Sequence, residues 1–454
     1  MTSTYQPSAK SSAITYQEIL DTDTHPIPEV LRRTSDVRFS DDDVPVTRYI
    51  TREFHELEKE KLWSRVWQMV CRTEDIPEIG DTLRYDIADR SYLLVRTTHD
   101  TIKGYYNACL HRGRMLREHD GRVDELRCPF HGFCWELDGQ LKQVPSGWDF
   151  AHVFERADEF QLPEVSVDTW GGFVFINPDE TCESLISFLG ELDEHFAAWD
   201  LENRYKSVHV AKIIRCNWKI ASEAFSEALH VVATHPQILP SIGDANTQYD
   251  VWGNFSRAIS PNNTPSPHLN WTPTEQQMFD VRTDKQIGDD PVSVIPEDMT
   301  ARQFSANAGR RNWRPVVGDR VDQMCDAEFN DSFYYTVFPN FHPWGAFNAI
   351  TYRFRPNGDD HETCIMECMF LLPFPEGQRP PSSEVNWLGP DDQWAEHAPE
   401  LGNLARVFDQ DTFNLARVQE GLRAMKKPGV TLANYQELKV RHAQTLLGEW
   451  VYGD

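Results

Sequence analysis

The sequence predicts an α+β protein: a small all-β domain joined to a larger domain in which helices cover an antiparallel sheet. Three observations lead there. Between Gly80 and about Asn177 come short alternating runs, such as Tyr92-Leu93-Leu94-Val95 and Gly172-Phe173-Val174-Phe175-Ile176, separated by turn residues in the manner of short strands. Further on, the strand-like runs Val208–Ile214, Phe333–Phe338, Ala349–Phe354 and Ile365–Leu372 are interleaved with two amphipathic helical stretches. Finally, 454 residues suit two or three domains of about 150 residues each.

Residues 1–44 are polar and rich in Ser, Thr and Pro, and they lack the basic and apolar regions of a signal peptide. They are expected to form an arm, draped over a neighbour or partly disordered. Phe54–Trp67 predicts a short amphipathic helix with Leu57, Leu62, Trp63 and Val66 on its core face, and the first domain with this helix covers 45–180. Leu185–Leu201 predicts a helix at the crossing into the second domain, 181–454. Residues 240–330 hold many Asn, Pro and Gly and little periodicity, the pattern of a lid insertion over a substrate entrance.

The strongest chemical signal lies in two loops, Cys109-Leu110-His111 and Cys128-Pro129-Phe130-His131, separated by sixteen residues. Each supplies one thiolate and one imidazole. This is the donor set of a Rieske [2Fe–2S] cluster, in which two histidines replace two cysteines on one iron. Gly113 and Gly132 follow the histidines and permit tight turns, and Pro129 stiffens the second loop. A structural zinc site also accepts two cysteines and two histidines. Zinc fingers, however, usually take both cysteines from one knuckle, so the order Cys then His in each loop favours the cluster. The extra cysteines of the respiratory-complex type are absent, with Arg114 and Phe130 in their places.

A second constellation begins at Asn217-Trp218-Lys219 and runs to His230, a stretch that reads as one helix with Ile220, Ala224, Phe225, Ala228 and Val231 on a shared face. Glu227 and His230 fall on neighbouring turns. Five residues of ideal helix would turn His235 about 140° away from His230. Pro236 disfavours helical geometry just before it, so unwinding near Val232–Thr234 is expected to bring His235 back. Two histidines alone are weak evidence, more often one surface and one core residue. The decisive addition is Asp411, in the middle of the apolar stripe Leu404, Val407, Phe408, Leu415, Val418 and Leu422. A carboxylate there costs several kcal/mol unless paired or metal-bound. Asp409 projects away and is expected to be a solvated charge. His230, His235 and Asp411 thus form a two-histidine, one-carboxylate set suited to Fe(II).

With both sets in view, the chain resembles the catalytic α subunit of the Rieske non-haem iron oxygenases, the aromatic-ring-hydroxylating oxygenases, over about residues 45 to 440. The resemblance rests on the CxH…CPxH loops, the NWK…E…HxxxxH segment and the helix from Asp411-Thr412-Phe413-Asn414 to Glu420-Gly421. It implies that Cys109, His111, Cys128 and His131 hold the cluster and that His230, His235 and Asp411 hold mononuclear Fe(II), in a helix-grip (START-like) catalytic domain. It further implies that Glu227 hydrogen-bonds both His230 and the cluster histidine His131 of a neighbouring subunit, within a homotrimer or an α₃β₃ assembly with a small β subunit. Electrons would come from NAD(P)H through a separate reductase, with or without a ferredoxin. The chain departs from the family in having Glu227 where Asp is common, Ala224 where Asn often stands, and Leu229 before the first histidine.

The resemblance leads to an oxygenase that hydroxylates or cis-dihydroxylates an aromatic or polycyclic hydrophobic substrate with O₂. Its alternative is an oxidative N- or O-demethylase or a quaternary-ammonium monooxygenase, the latter because glutamate at the bridge also occurs in members acting on small quaternary ammonium compounds. Phe225 is the pocket candidate; Phe341, Trp344 and Phe347 are at least as well explained as core. A net charge of −27 argues against nucleic acid, whose binding is dominated by phosphate neutralisation. No run of about 18 apolar residues suggests a membrane span. The remaining cysteines, Cys71, Cys134, Cys182, Cys216, Cys325, Cys364 and Cys368, fit buried thiols in a reducing cytoplasm.

Overall fold

The computed structural model describes residues 14–453, so the start of the expected arm, 1–13, lies outside the described residues. The described part of the arm packs on its own chain. Its helices Tyr16–Leu20 and Glu29–Arg32 lie on the second domain: the Tyr16 hydroxyl donates to Asp331 at 2.8 Å, and Arg257 donates to the carbonyls of Val30 and Arg33, each at 2.7 Å. The helix expected at Phe54–Trp67 runs as Arg52–Leu57 and then a π-helical turn, Glu58–Trp63. Leu62, Trp63 and Val66 are buried as expected, and Leu57 is half-buried. The turn also buries Glu58, which accepts from Lys219 at 2.6 Å.

The first domain holds a seven-stranded sheet in the order Gln68–Arg72, Phe173–Asn177, Glu164–Trp170, Ile102–Tyr106, Arg90–Arg96, Asp81–Ile87 and Gly121–Arg122. A three-stranded sheet, Leu126–Arg127, Cys134–Trp135 and Leu141–Gln143, sits beside it. Under the two Cys-His loops lies a separate small core that includes Leu93, Tyr105, Leu116, Leu126, Phe133 and Trp135.

The connection expected as one helix at Leu185–Leu201 is two short ones, Leu185–Leu189 and Leu192–Phe196. Gly190, at φ 56°, ends the first. The second domain is an eight-stranded sheet in the order Gln248–Trp252, Phe255–Ser260, Ser332–Val337, Phe341–Pro343, Ile350–Asn357, Asp360–Pro373, Arg204–Ile214 and Asn386–Leu388. All pairs are antiparallel except the last, which is parallel. The helices Trp218–Ala224, Leu404–Ala424 and Leu438–Tyr452 pack on this sheet.

The stretch 240–330 is more regular than its composition suggested. It supplies two strands of the central sheet and the helices Glu275–Arg282, Ala301–Val317 and Asp326–Asn330. Two of these helices start at capping boxes, Thr274 with Gln277 and Thr300 with Gln303. Among the described residues, no helix is long and apolar enough to cross a membrane.

Two candidate metal centres

The two Cys-His loops are copies of one backbone design. In the first, the Cys109 N–H donates to Arg114 at 2.8 Å and the Gly113 N–H donates back to Cys109 at 2.9 Å. In the second, the Cys128 N–H donates to Phe133 at 2.8 Å and the Gly132 N–H donates back to Cys128 at 3.0 Å. Both closures need the left-handed region, and the glycines supply it at φ 73° and 80°. Cys109 and Cys128 are buried, His111 is half-buried and His131 is exposed, so the thiols point inward and the imidazoles outward.

The histidine rings lie 4.7 Å apart between centroids, and His111 stacks on Phe133 at 4.6 Å. His111 Nδ1 is buried without a hydrogen-bond partner among the described residues, an orphan atom of the kind a metal would satisfy. Burial holds the Cys109 thiol up, as does Cys128 beside it, while backbone N–H groups of His111 and Arg112 oppose them. Burial, with the nearby His131 and Arg112, holds His111 below its ordinary value. Two thiols beside one another and two imidazoles beside one another fit a Rieske cluster, in which the cysteines hold one iron and the histidines the other.

At the second site the helix breaks earlier than expected. It spans Trp218–Ala224 and stops at Phe225, then a short helix, Val231–Thr234, follows. Two backbone N–H groups in the break bond to side chains instead of helix carbonyls: Ala228 donates to the Tyr249 hydroxyl at 2.9 Å, and His230 to Glu227 at 3.0 Å. Val232–Thr234, expected to unwind, is helical, and the departure falls on His235 itself at φ −126°, ψ 49°, just before Pro236.

Asp411 sits on the Leu404–Ala424 helix and is 6 % exposed. Its Oδ1 lies 2.8 Å from His235 Nε2 and 3.7 Å from His230 Nε2. One donor atom from each of the three residues falls within 4.8 Å of the others, a geometry that can hold one metal ion. The buried face of this helix runs through Ala405, Phe408, Asp411, Leu415, Gln419 and Leu422, so Val418, expected in the stripe, is exposed. Asp409 is half-buried, and its carboxylate accepts the N–H groups of Trp394 and Ala395 at 2.8 and 3.0 Å. It caps a neighbouring helix instead of facing solvent freely.

Each imidazole is oriented by a side chain. Glu227 Oε1 lies 2.6 Å from His230 Nδ1, and Gln410 Oε1 lies 2.8 Å from His235 Nδ1. Both histidines therefore turn Nε2 towards Asp411. Burial disfavours charge on His230, but the hydrogen bond and charge of Glu227, with Asp411, outweigh it and raise its pKa above the ordinary value. Gln410 was missed in the sequence, although its place beside Asp411 was the available signal.

Phe225 contacts Tyr352, Phe354 and Phe408, and Phe408 lies one turn before Asp411. Trp344 joins the same wall through Tyr352 and Tyr334. Phe341 instead packs against Phe173 and Phe175 of the first domain, and Phe347 stacks between Trp313 and Phe329.

The comparison that decides the family is with the "Ring hydroxylating alpha subunit (catalytic domain)", which matches residues 192–453, more than half the chain. The chain belongs to this family. Residues 66–151 match the "Rieske [2Fe-2S] domain". These two domains imply a Rieske cluster in the first part and a mononuclear iron in the second, and both donor sets fit those groups.

Among curated relatives, the glycine betaine monooxygenase oxygenase subunit of Pseudomonas aeruginosa is 28 % identical over 221 residues, covering 48 % of this chain and 51 % of that one. The carnitine monooxygenase oxygenase subunit of Acinetobacter baumannii is 24 % identical, covering 60 % of this chain and 68 % of that one. The chain thus spans about half the length of the glycine betaine relatives it matches. Solved structures show the fold. A quaternary ammonium Rieske monooxygenase in complex with L-carnitine superposes with a TM-score of 0.61 at 15 % identity, covering 90 % of this chain and 95 % of that one. Naphthalene 1,2-dioxygenase with indole bound gives 0.58 at 16 % identity, covering 91 % and 94 %.

Proposed function

We propose that this ring-hydroxylating α subunit is the oxygenase component of a monooxygenase acting on a quaternary ammonium compound, at a carbon attached to the cationic nitrogen. The aromatic substrate expected first from the sequence gives way to its alternative. The observation that carries this reading is a wall of aromatic rings beside the metal set. Phe225 and Tyr352 lie 5.2 Å apart, Tyr352 and Trp344 6.0 Å, and Trp344 and Tyr334 5.5 Å between centroids. Aromatic faces attract quaternary ammonium groups, which cannot donate hydrogen bonds and are recognised by cation–π contact. Relatives named for glycine betaine and carnitine support the same substrate class.

In this reading Cys109, His111, Cys128 and His131 hold the cluster, and His230, His235 and Asp411 hold the iron. When bound, the cluster supplies single electrons and the Fe(II) supplies the O₂ chemistry. The chain's own part is positional. Glu227 and Gln410 fix the tautomers of His230 and His235 through Nδ1 and keep Nε2 free for the metal. Phe225, Tyr352 and Phe408 shield that side of the site from water. One oxygen atom of O₂ enters a C–H bond next to the cationic nitrogen and the other leaves as water, consuming two electrons and two protons. The C–N bond of the hydroxylated compound then breaks: the hydroxyl gives up its proton to water, the carbon leaves as an aldehyde, and the electron pair stays on nitrogen as a tertiary amine.

The electrons come from NAD(P)H through a separate reductase, with or without a ferredoxin, and a second copy of the chain completes the path. Near the cluster loops Phe130 is 56 % and Trp148 84 % exposed. Beside the iron helices lies a groove of about 740 Å³ lined in part by Thr234, Gln410, Phe413 and Asn414. An exposed apolar edge and an open groove next to the second centre are what a trimer with electron transfer between neighbours requires.

The test is turnover with a reductase and NADH on glycine betaine, carnitine and naphthalene. Aldehyde release matched to O₂ uptake on a quaternary ammonium compound is the expected result. A dihydrodiol from naphthalene, with no aldehyde from the others, would overturn the reading.

A further inference from the structure

Among the described residues, four of the five buried lysines lie close to acids. Lys219 meets Glu58 at 2.6 Å, Lys206 meets Asp75, and Lys59 meets Glu56, Asp89 and Asp359, each at 2.9 Å. Lys212 donates to the Asp392 carbonyl and lies in the field of Asp409 and Asp392. Lys439 differs. It is 1 % exposed, and among the described residues no carboxylate lies within 4.0 Å of its Nζ. The ammonium has three N–H groups, and its one partner is the Tyr334 carbonyl at 2.9 Å. Burial alone drives its pKa well below the ordinary value, with no acid to offset it. An unpaired buried cation is costly, and a core position would be better filled by leucine or methionine.

Lys439 stands near the start of the Leu438–Tyr452 helix, which packs on the strands Gln248–Trp252 and Phe255–Ser260. Its Nζ lies 4.6 Å from the Tyr334 ring centroid, and Tyr334 adjoins Trp344. Its charge reaches His342, whose Nε2 lies 3.3 Å from Ser222 on the metal-bearing helix. Tyr249, which packs with Tyr334 and Leu438, takes the N–H of Ala228, two residues before His230. The lysine therefore sits at one end of the aromatic wall and the metal ligands at the other.

We propose that Lys439 anchors the carboxylate of a zwitterionic quaternary ammonium substrate and so sets both specificity and orientation. This rests on the substrate class proposed above. The carboxylate would satisfy the two free N–H groups and bring a countercharge into a site that lacks one. The same lysine repels the cationic end, which leaves the nitrogen and its alkyl carbons on the aromatic wall nearer His230, His235 and Asp411. A cation without a carboxylate would meet the repulsion without the gain, so the lysine also acts against the wrong ligand.

Calorimetric titration of the metal-loaded protein and its Lys439→Met and Lys439→Arg variants tests this with three probes. These are glycine betaine, choline (the same cation with no carboxylate) and benzoate (a carboxylate with no cation). The wild type is expected to prefer glycine betaine to choline. Lys439→Met should weaken glycine betaine roughly 10- to 100-fold, the worth of a charge-assisted hydrogen bond, and leave choline unweakened. Lys439→Arg should restore most of the binding. Iron content, cluster absorption and melting temperature should not fall in Lys439→Met, because the change removes an unpaired buried charge.

Equal weakening of glycine betaine and choline, or a lowered melting temperature with glycine betaine binding unchanged, would make Lys439 a structural residue and overturn the proposal. Wild-type binding of choline as tight as glycine betaine would overturn the anchor and leave the quaternary ammonium reading standing. Benzoate binding that depends on Lys439, with neither cation bound, would keep the anchor and overturn that reading. Failure of all three probes to bind would overturn both.

Discussion

The cluster loops draw all four candidate donors from residues 109–131, whereas the iron set joins His235 to Asp411 across a separation of 176 residues. The loops are shaped by backbone: the same pair of hydrogen bonds closes each turn, and a glycine at positive φ makes each closure possible. At the iron set the shaping is done by side chains, with Glu227 and Gln410 behind the two imidazoles and Tyr249 holding the broken helix open. A backbone-built site should fail when a donor or a turn is changed. A site built by side chains should also respond to neighbours that never touch the metal.

The largest effect is expected from removing a donor at each site in turn. Cys128→Ser should abolish the visible absorption of the cluster, and an unaltered spectrum would remove the loops as its site. Asp411→Ala should lose the mononuclear iron and all measurable turnover while the protein keeps its colour. Retained iron with normal turnover would end the comparison, because the distant donor would then be dispensable.

A smaller effect should separate the two plans. Glu227→Gln keeps the size of the side chain and removes the charge behind His230. Both metals should stay bound while product formation slows by roughly 10- to 100-fold, the usual cost of disturbing a residue behind a metal ligand. Unchanged single-turnover rates would show that His230 needs no acidic partner. Gln410→Ala should weaken iron binding by about tenfold through loss of the His235 contact, leaving the cluster untouched. Metal analysis and cluster absorption read the two centres separately.

The same contrast explains what could be read in advance. The loops were legible because their chemistry is local and repeated, and the strands around them are short apolar runs bounded by turn residues. Asp411 was legible because a carboxylate inside an apolar stripe needs a reason. The break between Phe225 and His230 was not, because it depends on the Tyr249 hydroxyl taking the Ala228 N–H, a partner on a strand in the stretch expected to be irregular. Asp409 misled for a similar reason, since its two backbone donors belong to a helix fifteen residues away in sequence. The stretch 240–330 hid its helices behind Asn and Pro, although the Thr-x-x-Gln boxes at Thr274 and Thr300 marked where two of them begin.

The smallest effect distinguishes the two loops from one another. Gly113 and Gly132 play the same backbone role, at φ 73° and 80°, so alanine at either strains the turn by about 1–2 kcal/mol. Their surroundings differ. A Cβ at 113 would meet nothing within 4 Å, whereas one at 132 would stand 3.0 Å from Pro145 Cγ. Gly132→Ala should therefore destabilise the protein more than Gly113→Ala, by up to about 1 kcal/mol of added crowding, in denaturant melts followed at the cluster absorption. Equal losses would mean that Pro145 yields freely and that backbone conformation alone sets the tolerance of both loops.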